Sequence, residues 1–174
     1  MKKEANNRQM VVKPTIVLFL DGDACPVKAE AYRVAERYHI KTFIVSNSFM
    51  RIPDEDFLEA VIVEQGLNKA DDWIAEKVDE ASIVVTNDVP LADRVVKNGG
   101  VALSPTGRVF DAATIGAALA TRNLLENLRE SGMITGGPRP FSGRDRSAFL
   151  GALDVVVQRL KRKGYETDFA NIRF

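Results

Sequence analysis

Residues 15–28, TIVLFLDGDACPVK, decide how this chain folds. The part from Thr15 to Leu20 is an apolar run, and it is followed at once by Asp21 and Gly22. An apolar run without polar alternation indicates a strand with both faces buried, and the sudden change to Asp and Gly indicates that the strand opens into a loop. The stretch therefore predicts a buried strand that ends at a carboxylate.

The next residues predict a helix and a second strand parallel to the first. Pro26 suits the first position of a helix, and apolar residues recur at helical spacing from there to about His39. Lys41–Ser46 (KTFIVS) has the composition of the following strand. Because the connection is far too long for a hairpin, the three elements form a right-handed βαβ unit with parallel strands.

Strand and helix patterns continue to alternate along the chain. Strands are predicted at residues 57–64, 82–86 and 101–103, and helices at 69–78, 90–96, 112–130 and 147–163. This order predicts one α/β domain over residues 15–165, with a tail of residues 1–14 before it and a tail of residues 166–174 after it. A chain of 174 residues, of which 45% are hydrophobic, is long enough to bury one such core.

Composition excludes several kinds of protein. Cys25 is the single cysteine and His39 the single histidine, so neither an internal disulfide nor a Cys/His zinc site is expected, and Cys25 is predicted to be a packing residue. No apolar run is long enough for a signal peptide or a membrane span. A formal net charge of zero argues against the uniformly basic surface of a protein that coats nucleic acid. We therefore expect a soluble, cytoplasmic protein that contacts no membrane.

Carboxylates collect where the predicted strands end. Asp21 and Asp23 follow the first strand, Asp88 follows the strand at 82–86, and Asp71 and Asp72 open the helix before it. Parallel strands present their C-terminal ends at one edge of the sheet, where ligands of such sheets bind. Converging carboxylates repel one another, and Mg²⁺ or Mn²⁺ relieves the repulsion through oxygen ligands. The five side chains are candidate metal ligands, and Asp21, Asp23 and Asp88 are candidate catalytic residues for phosphoryl transfer.

Nine further polar side chains are candidate substrate-binding residues: Lys28, Ser46, Asn47, Ser48, Thr86, Asn87, Arg139, Arg144 and Arg146. The lysine falls in a first helical turn, where a cation is unfavourable unless an anion is near. The hydroxyl and amide side chains follow two predicted strands, and the arginines lie in a Gly/Pro-rich loop predicted over residues 134–146. The simpler interpretation is that these residues form polar turns and a solvated surface, and that the aspartates cap helices.

At these residues the sequence resembles the YaiI/YqxD family of bacterial proteins, which has a PIN-like domain. The matching segments are DGDACPVK at 21–28, GLNKADDWI at 66–74, VVTNDVPLA at 84–92 and GGPRPFSGRDRSAF at 136–149. The family pattern has DAD in the first segment and TAD in the third, where this chain has Gly22 and Asn87 in the middle positions.

The resemblance implies both a fold and a site. The fold would be a Rossmann-like three-layer sandwich with a mostly parallel central sheet of about five strands, plus C-terminal helices. The site would be an acidic cluster made of Asp21, Asp23, Asp88 and one of the neighbours Asp71 and Asp72.

Three functions fit these residues. The first is a Mg²⁺- or Mn²⁺-dependent nuclease, with RNA as the expected partner. The second is a haloacid-dehalogenase-like phosphohydrolase, and the third is a non-catalytic module that binds a metal or a basic partner. The long helix predicted at 112–130 packs either against the sheet or against a second copy of the chain in a homodimer.

The phosphohydrolase alternative assigns a role to each of six residues. They are Asp21 as nucleophile, Asp23 as general acid, Ser46 as phosphate ligand, Lys69 as neutralising lysine, and Asp88 with Asp93 as Mg²⁺ ligands. That fold places a hairpin flap after its first motif. A helix predicted to begin at Pro26 leaves no room for the flap, so the sequence favours the nuclease.

Overall fold

The sheet is built around the apolar strand that opens the domain. The computed structural model describes residues 14–172 and 174, so the predicted N-terminal tail lies outside the described residues except for Pro14. The strands are β1 (Val17–Asp21), β2 (Lys41–Ser46), β3 (Leu58–Ile62), β4 (Ser82–Val85), β5 (Val101–Leu103) and β6 (Val109–Phe110). The α-helices are α1 (Lys28–Tyr38), α2 (Lys69–Lys77), α3 (Val89–Lys97), α4 (Ile115–Glu130) and α5 (Gly143–Arg162).

The strand order within the six-stranded sheet is β3-β2-β1-β4-β5-β6. Strands β1 to β5 are all parallel, and β6 is antiparallel to β5. The predicted mostly parallel sheet is confirmed, with one strand more than the sequence indicated. Because β2, β1, β4 and β5 are parallel neighbours, their C-terminal ends lie side by side along one edge of the sheet. We call this edge the carboxyl edge.

Helices cover both faces of the sheet, which makes a three-layer α/β sandwich. Helices α1 and α5 pack on one face through a cluster that includes Leu18 and Phe149. Helices α2, α3 and the first half of α4 pack on the other face, around Phe19 and Phe43. The outer half of α4 carries exposed leucines, among them Leu124. None of the helices in residues 14–172 and 174 combines the length and the apolar composition that a membrane crossing requires.

The predicted starts of α1 and α5 are wrong, for reasons that lie in the local backbone and its hydrogen bonds. The first helix begins at Lys28 rather than at Pro26, because Gly22–Ala24 forms a 3₁₀ turn and the chain enters the helix only after Val27. The last helix begins at Gly143 rather than at about residue 147. Its start is a capping box in which Ser142 and Asp145 each bond the other's backbone N–H.

Two other features were not predicted. Helix α4 starts at Ile115 rather than at residue 112, because the Asp111 carboxylate accepts bonds from the N–H groups of Ala113 and Thr114 and forms a turn there. The segment after α5 returns to the sheet, where the Ile16 N–H donates to the Glu166 carbonyl at 2.8 Å and the Phe174 ring lies 5.1 Å from that of Phe43. The last residues therefore cover part of one sheet face.

Gly22 lies where β1 turns into the site, and the space beside it is already filled. A Cβ atom at this position would lie 2.6 Å from the Met50 Cε atom, 2.9 Å from the Val45 carbonyl oxygen and 3.0 Å from the Ile44 Cγ2 atom. These distances are shorter than van der Waals contact, so no side chain fits without movement of β2 or of the Met50 side chain. Glycine thus lets the turn after β1 and the turn after β2 touch directly.

We expect the substitution Gly22→Ala to lower the free energy of unfolding by about 1–3 kcal/mol, because it overpacks this contact. Gly151→Ala is the matched control. Gly151 lies inside α5, where an added methyl group would meet nothing within 4 Å, so its replacement should stabilise the protein by about 0.5–1 kcal/mol through helix propensity. Urea unfolding followed by circular dichroism measures both, and equal stability of the two variants would contradict the overpacking argument.

Candidate metal centre

Asp21 is the last residue of β1 and is held by a hydroxyl group from the neighbouring strand. It lies opposite Val45 in the β1–β2 register, and its side chain is half-buried. The buried hydroxyl of Thr86, just after β4, donates to Asp21 Oδ2 at 3.0 Å. The backbone N–H of Asp88 donates to the same hydroxyl oxygen at 3.0 Å. Since a hydroxyl has a single hydrogen, Thr86 is oriented with that hydrogen on Asp21.

Asp23 is held in the same way from the other side of β1. The buried hydroxyl of Ser46, the last residue of β2, donates to Asp23 Oδ1 at 2.5 Å. The backbone N–H of Ser48 donates to Ser46 Oγ at 3.1 Å. Asp21 and Asp23 thus each accept a bond from a hydroxyl group whose own oxygen accepts a backbone N–H two residues later. Both hydroxyl hydrogens are used on carboxylates, so Ser46 and Thr86 position the acidic residues in this structure.

Asp88 and Asp71 complete the group of carboxylates at the carboxyl edge. We call Asp21, Asp23, Asp71 and Asp88 together the acidic edge. Asp88 is the N-cap of α3, where its Oδ1 accepts the Leu91 N–H at 2.9 Å, and its side chain is otherwise exposed. Asp71 lies in the first turn of α2 and is half-buried. Its neighbour Asp72 is exposed and forms an ion pair of 2.7 Å with Arg94. The structure therefore separates the two adjacent aspartates, and Asp71 is the one next to the other carboxylates.

The electrostatics of these groups show that negative charge accumulates at the carboxyl edge. Burial, then the charges of Asp88 and Asp21, raise the pKa of Asp71 to about 6, against a smaller opposing effect of Arg94. Burial also raises the pKa of Asp21, although the Thr86 hydrogen bond lowers it, and the charges of Asp23 and Asp88 raise it further. The carboxylates are thus close enough to repel one another, which is the condition that a divalent cation relieves.

The arrangement fits a hydrated hard cation better than a closed cage of ligands. Within residues 14–172 and 174, no three Asp, Glu, His or Cys side chains are grouped so that they hold one ion together. Mg²⁺ characteristically keeps several waters and takes only one or two protein carboxylates. Asp21 and Asp88, connected through Thr86, carry two such oxygen donors, and Asp21 also interacts electrostatically with Asp23 and Asp71. The donor set is therefore suited to Mg²⁺ or Mn²⁺.

A cavity of about 1020 Å³ opens beside Asp23 at the carboxyl edge. It is lined by Gly22, Asp23, Cys25, Pro26, Lys28, Asn87, Pro105, Thr106, Pro138, Arg139, Phe141 and Asp145. Three predicted substrate-binding residues, Lys28, Asn87 and Arg139, are among them. The cavity thus combines two cationic side chains with a carboxylate of the acidic edge, and residues that follow β1, β4 and β5 line it together.

Arg139 reaches the cavity from a fixed position. Its two terminal nitrogens bond the two oxygens of Asp145 at 2.9 and 2.6 Å, and this bidentate pair, with the Ser142 N–H, lowers the pKa of Asp145 to about 2. The guanidinium remains largely exposed, with further N–H groups free of the pair. Asp145 was not among the predicted site residues, although the spacing S-x-x-D at 142–145 is a signal for a cap that would have revealed it.

The other candidate side chains are placed differently. The prediction of a loop with three arginines over residues 134–146 is wrong, because Arg144 and Arg146 belong to the first turn of α5 and do not line the cavity. Arg146 donates to the Pro26 carbonyl at 2.6 Å and pairs with Glu30, so it ties α5 to the start of α1. Asn47 and Ser48 are exposed in the turn after β2.

Cys25 lines the cavity but is not activated. Burial raises the pKa of its thiol to about 11, so the thiol stays protonated at neutral pH. Thr106 and Phe141 also line the cavity and were not predicted. Thr106 follows β5 and so lies at the carboxyl edge with the residues that follow the other parallel strands. Polar residues that follow β1, β2 and β4 were predicted as site residues, and the same search after β5 would have found Thr106.

We expect Asp71→Asn to stabilise the metal-free protein at pH 7 by on the order of 1 kcal/mol, after allowance for solvent screening. The folded-state pKa of about 6 exceeds the ordinary 3.8, so the native state keeps a proton that the unfolded chain has lost, and stability falls as the pH rises between these values. The gain should therefore vanish toward pH 4. Thermal unfolding between pH 4 and pH 7, with Asp72→Asn as control, measures the gain in stability. A gain that is equal at pH 4 and pH 7 would refute the raised pKa of Asp71.

Comparisons with known proteins agree on one family. A family model described as "Uncharacterized BCR, YaiI/YqxD family" matches residues 19–159. The chain is 60% identical to the UPF0178 protein of Bartonella henselae, over 85% of this chain and all of that protein. It is 55% identical to the UPF0178 protein of Azorhizobium caulinodans, over 87% of this chain and 96% of that protein.

A third relative, the UPF0178 protein of a Caulobacter species, is 54% identical over 84% of this chain and 97% of its own length. No solved structure matches the chain. Because the family model spans most of the chain and the relatives are matched over nearly their whole length, the resemblance found in the sequence is confirmed, and the protein belongs to the YaiI/YqxD family.

Proposed function

We propose that the protein is a divalent-metal-dependent phosphodiesterase with a PIN-like domain that hydrolyses nucleic acid, with RNA as its substrate in the bacterial cytoplasm. The observation that carries the proposal is the acidic edge itself. Asp21 and Asp23 lie two residues apart at the end of β1, each fixed by a hydroxyl group, and the Asp88 backbone is connected to Asp21 through Thr86. Carboxylates that are held rigidly and repel one another are suited to a cation that acts on phosphate.

The residues divide the work of such a reaction between them. Asp21 and Asp88 would hold the ion directly, and Asp23 and Asp71 would orient water around it. A bound Mg²⁺ or Mn²⁺ supplies activation of the attacking water and offsets charge on the phosphate. Lys28 and Arg139, which line the cavity next to Asp23, would hold the phosphate oxygens of the adjoining nucleotide.

The phosphohydrolase alternative has less support. Residues 22–27, between β1 and α1, contain only the 3₁₀ turn Gly22–Ala24, so no hairpin flap follows the first aspartate. Asp93, which that mechanism needs as a metal ligand, pairs with Lys97 within α3 at 2.6 Å. Lys69 lies with Trp73 at a separate depression of the surface. These observations favour the phosphodiesterase.

The test is Mn²⁺-dependent hydrolysis of mixed-sequence single-stranded RNA and DNA, with p-nitrophenyl phosphate alongside. We expect Asp21→Asn and Asp88→Asn to lose about 100-fold or more in kcat, because each removes a ligand charge from the ion. Asp72→Asn makes the same chemical change at a carboxylate that is paired with Arg94, and Asp93→Asn makes it at one that is paired with Lys97. Both variants should keep their activity.

Other outcomes identify the alternatives. Turnover of the small ester alone, with a phosphorylated Asp21 and loss in Asp93→Asn, would establish the phosphohydrolase. If no substrate is hydrolysed, and the Tm rises with Mn²⁺ in the wild type but not in Asp21→Asn, the protein is a module that binds the metal without catalysis.

A further inference from the structure

Phe49 is an aromatic side chain that the fold leaves in solvent. It lies in the turn after β2 and is 84% exposed. A phenylalanine at the surface gives up most of the free energy that its burial would provide. A single exposed apolar residue is common on protein surfaces, so exposure alone assigns no role to it. Its surroundings supply the further evidence.

The backbone on both sides of Phe49 is fixed to the acidic edge. The N–H of the preceding Ser48 donates to Ser46 Oγ, whose hydroxyl in turn donates to Asp23. The following Met50 reaches back to Gly22, where its Cε atom lies 2.6 Å from the position that a Cβ atom would take, and it packs on the core. The phenyl ring is therefore displayed from a backbone anchored at the residues before and after it, within the turn that holds the carboxylate of Asp23.

The strand order places this ring in line with the rest of the site. Phe49 follows β2, the carboxylates of Asp21 and Asp88 follow β1 and β4, and Thr106 of the cavity follows β5. From β2 to β5 there are three strand spacings, or about 14 Å. The carboxyl edge thus carries an exposed aromatic ring after β2, the carboxylates of Asp21 and Asp88 after β1 and β4, and the cavity that Lys28 and Arg139 line beside Asp23.

We propose that Phe49 stacks on an unpaired base of a single-stranded nucleic acid whose backbone crosses the acidic edge toward Lys28 and Arg139. This inference rests on the proposed function and adds the selection of single strands to it. A flat ring binds any base through its π face, and this accounts for an aromatic residue beside groups that act on the sugar-phosphate chain. In a duplex the bases are stacked on each other, so their faces are covered and the ring has nothing to bind.

The experiment measures binding without turnover. Fluorescence anisotropy in Ca²⁺, which we use as a non-catalytic ion, gives Kd for a short labelled single-stranded RNA, for its DNA version, for a blunt-ended duplex of the same RNA and for an abasic oligomer. Phe49→Ala should weaken binding of the single strand about 5- to 150-fold, the range that base stacking on an aromatic residue supplies. The duplex and the abasic oligomer should bind wild type and variant equally.

Two further variants separate stacking from a general loss of apolar surface. Phe49→Trp should retain the wild-type Kd or tighten it, and its emission should be quenched by the oligonucleotide beyond the change that Trp73 alone gives in the wild type. Leu67→Ala is the matched control, because Leu67 is 90% exposed in the loop after β3, at the same edge, and has no aromatic ring. Its Kd should change by less than about 2-fold.

The outcomes keep this inference distinct from the proposed function. An unchanged Kd in Phe49→Ala with hydrolysis intact would overturn the stacking role and leave the nuclease standing. Binding of single strands that depends on Phe49, without hydrolysis, would support the stacking role and overturn the nuclease. Equal loss for the abasic oligomer, Phe49-dependent binding of the blunt-ended duplex, or a change of oligomeric state in Phe49→Ala measured by light scattering would each overturn the inference, the last by showing that the ring contacts a second copy of the chain.

Discussion

The architecture depends on the burial of β1 on both of its faces. The strand lies between β2 and β4, and Leu18 and Leu20 point into one core cluster while Val17 and Phe19 point into the other. Nothing polar can be placed in such a strand without a large desolvation cost, so its first polar side chain comes at the point where it leaves the sheet. That side chain is Asp21, and the neighbouring strands bring their own terminal hydroxyl groups to the same level.

The hydroxyl groups explain how several carboxylates remain close together in a folded protein. Each of Ser46 and Thr86 accepts a backbone N–H and donates to an aspartate, so the partial positive charge of the backbone is passed to the carboxylate. This offsets only part of the cost of placing carboxylates here, because burial, and then the neighbouring charges, still raise the pKa values of Asp21 and Asp71. Under the proposed function, a cation bound at this edge would relieve that cost, which would link the stability of the fold to the chemistry of the site.

Much of this was predictable from sequence, because the strands are short apolar runs between clear helix signals. The bounds of β2 and β5 agree with the prediction, and the order of elements gives the parallel sheet. The two-residue strand β6 was missed because so short a segment has no periodicity to detect. The start of α5 was missed because its capping box, S-x-x-D at 142–145, has aspartate in place of the more usual glutamate and is a weaker signal than the apolar spacing that begins later.

The site was predictable only as a set of residues at one edge. Asp71 and Asp72 are adjacent in a helix, so their roles depend on which side of α2 faces β1 and on the position of Arg94, and neither is a local property of the sequence. The hydroxyl contacts depend on the register of β1 with its two neighbours, and the separation of Arg139 from Arg146 depends on where α5 begins. Local patterns locate these side chains along the chain, and packing alone decides which of them meet.

The contact between Gly22 and Met50 has an evolutionary consequence. In any relative that carries alanine at the position of Gly22, the added methyl group would compete for the space that the Met50 Cε atom fills in this protein. A long side chain at position 50 and glycine at position 22 are therefore expected to be inherited together, and a shorter residue at position 50 should accompany alanine. The turn after β2 would then change together with position 22.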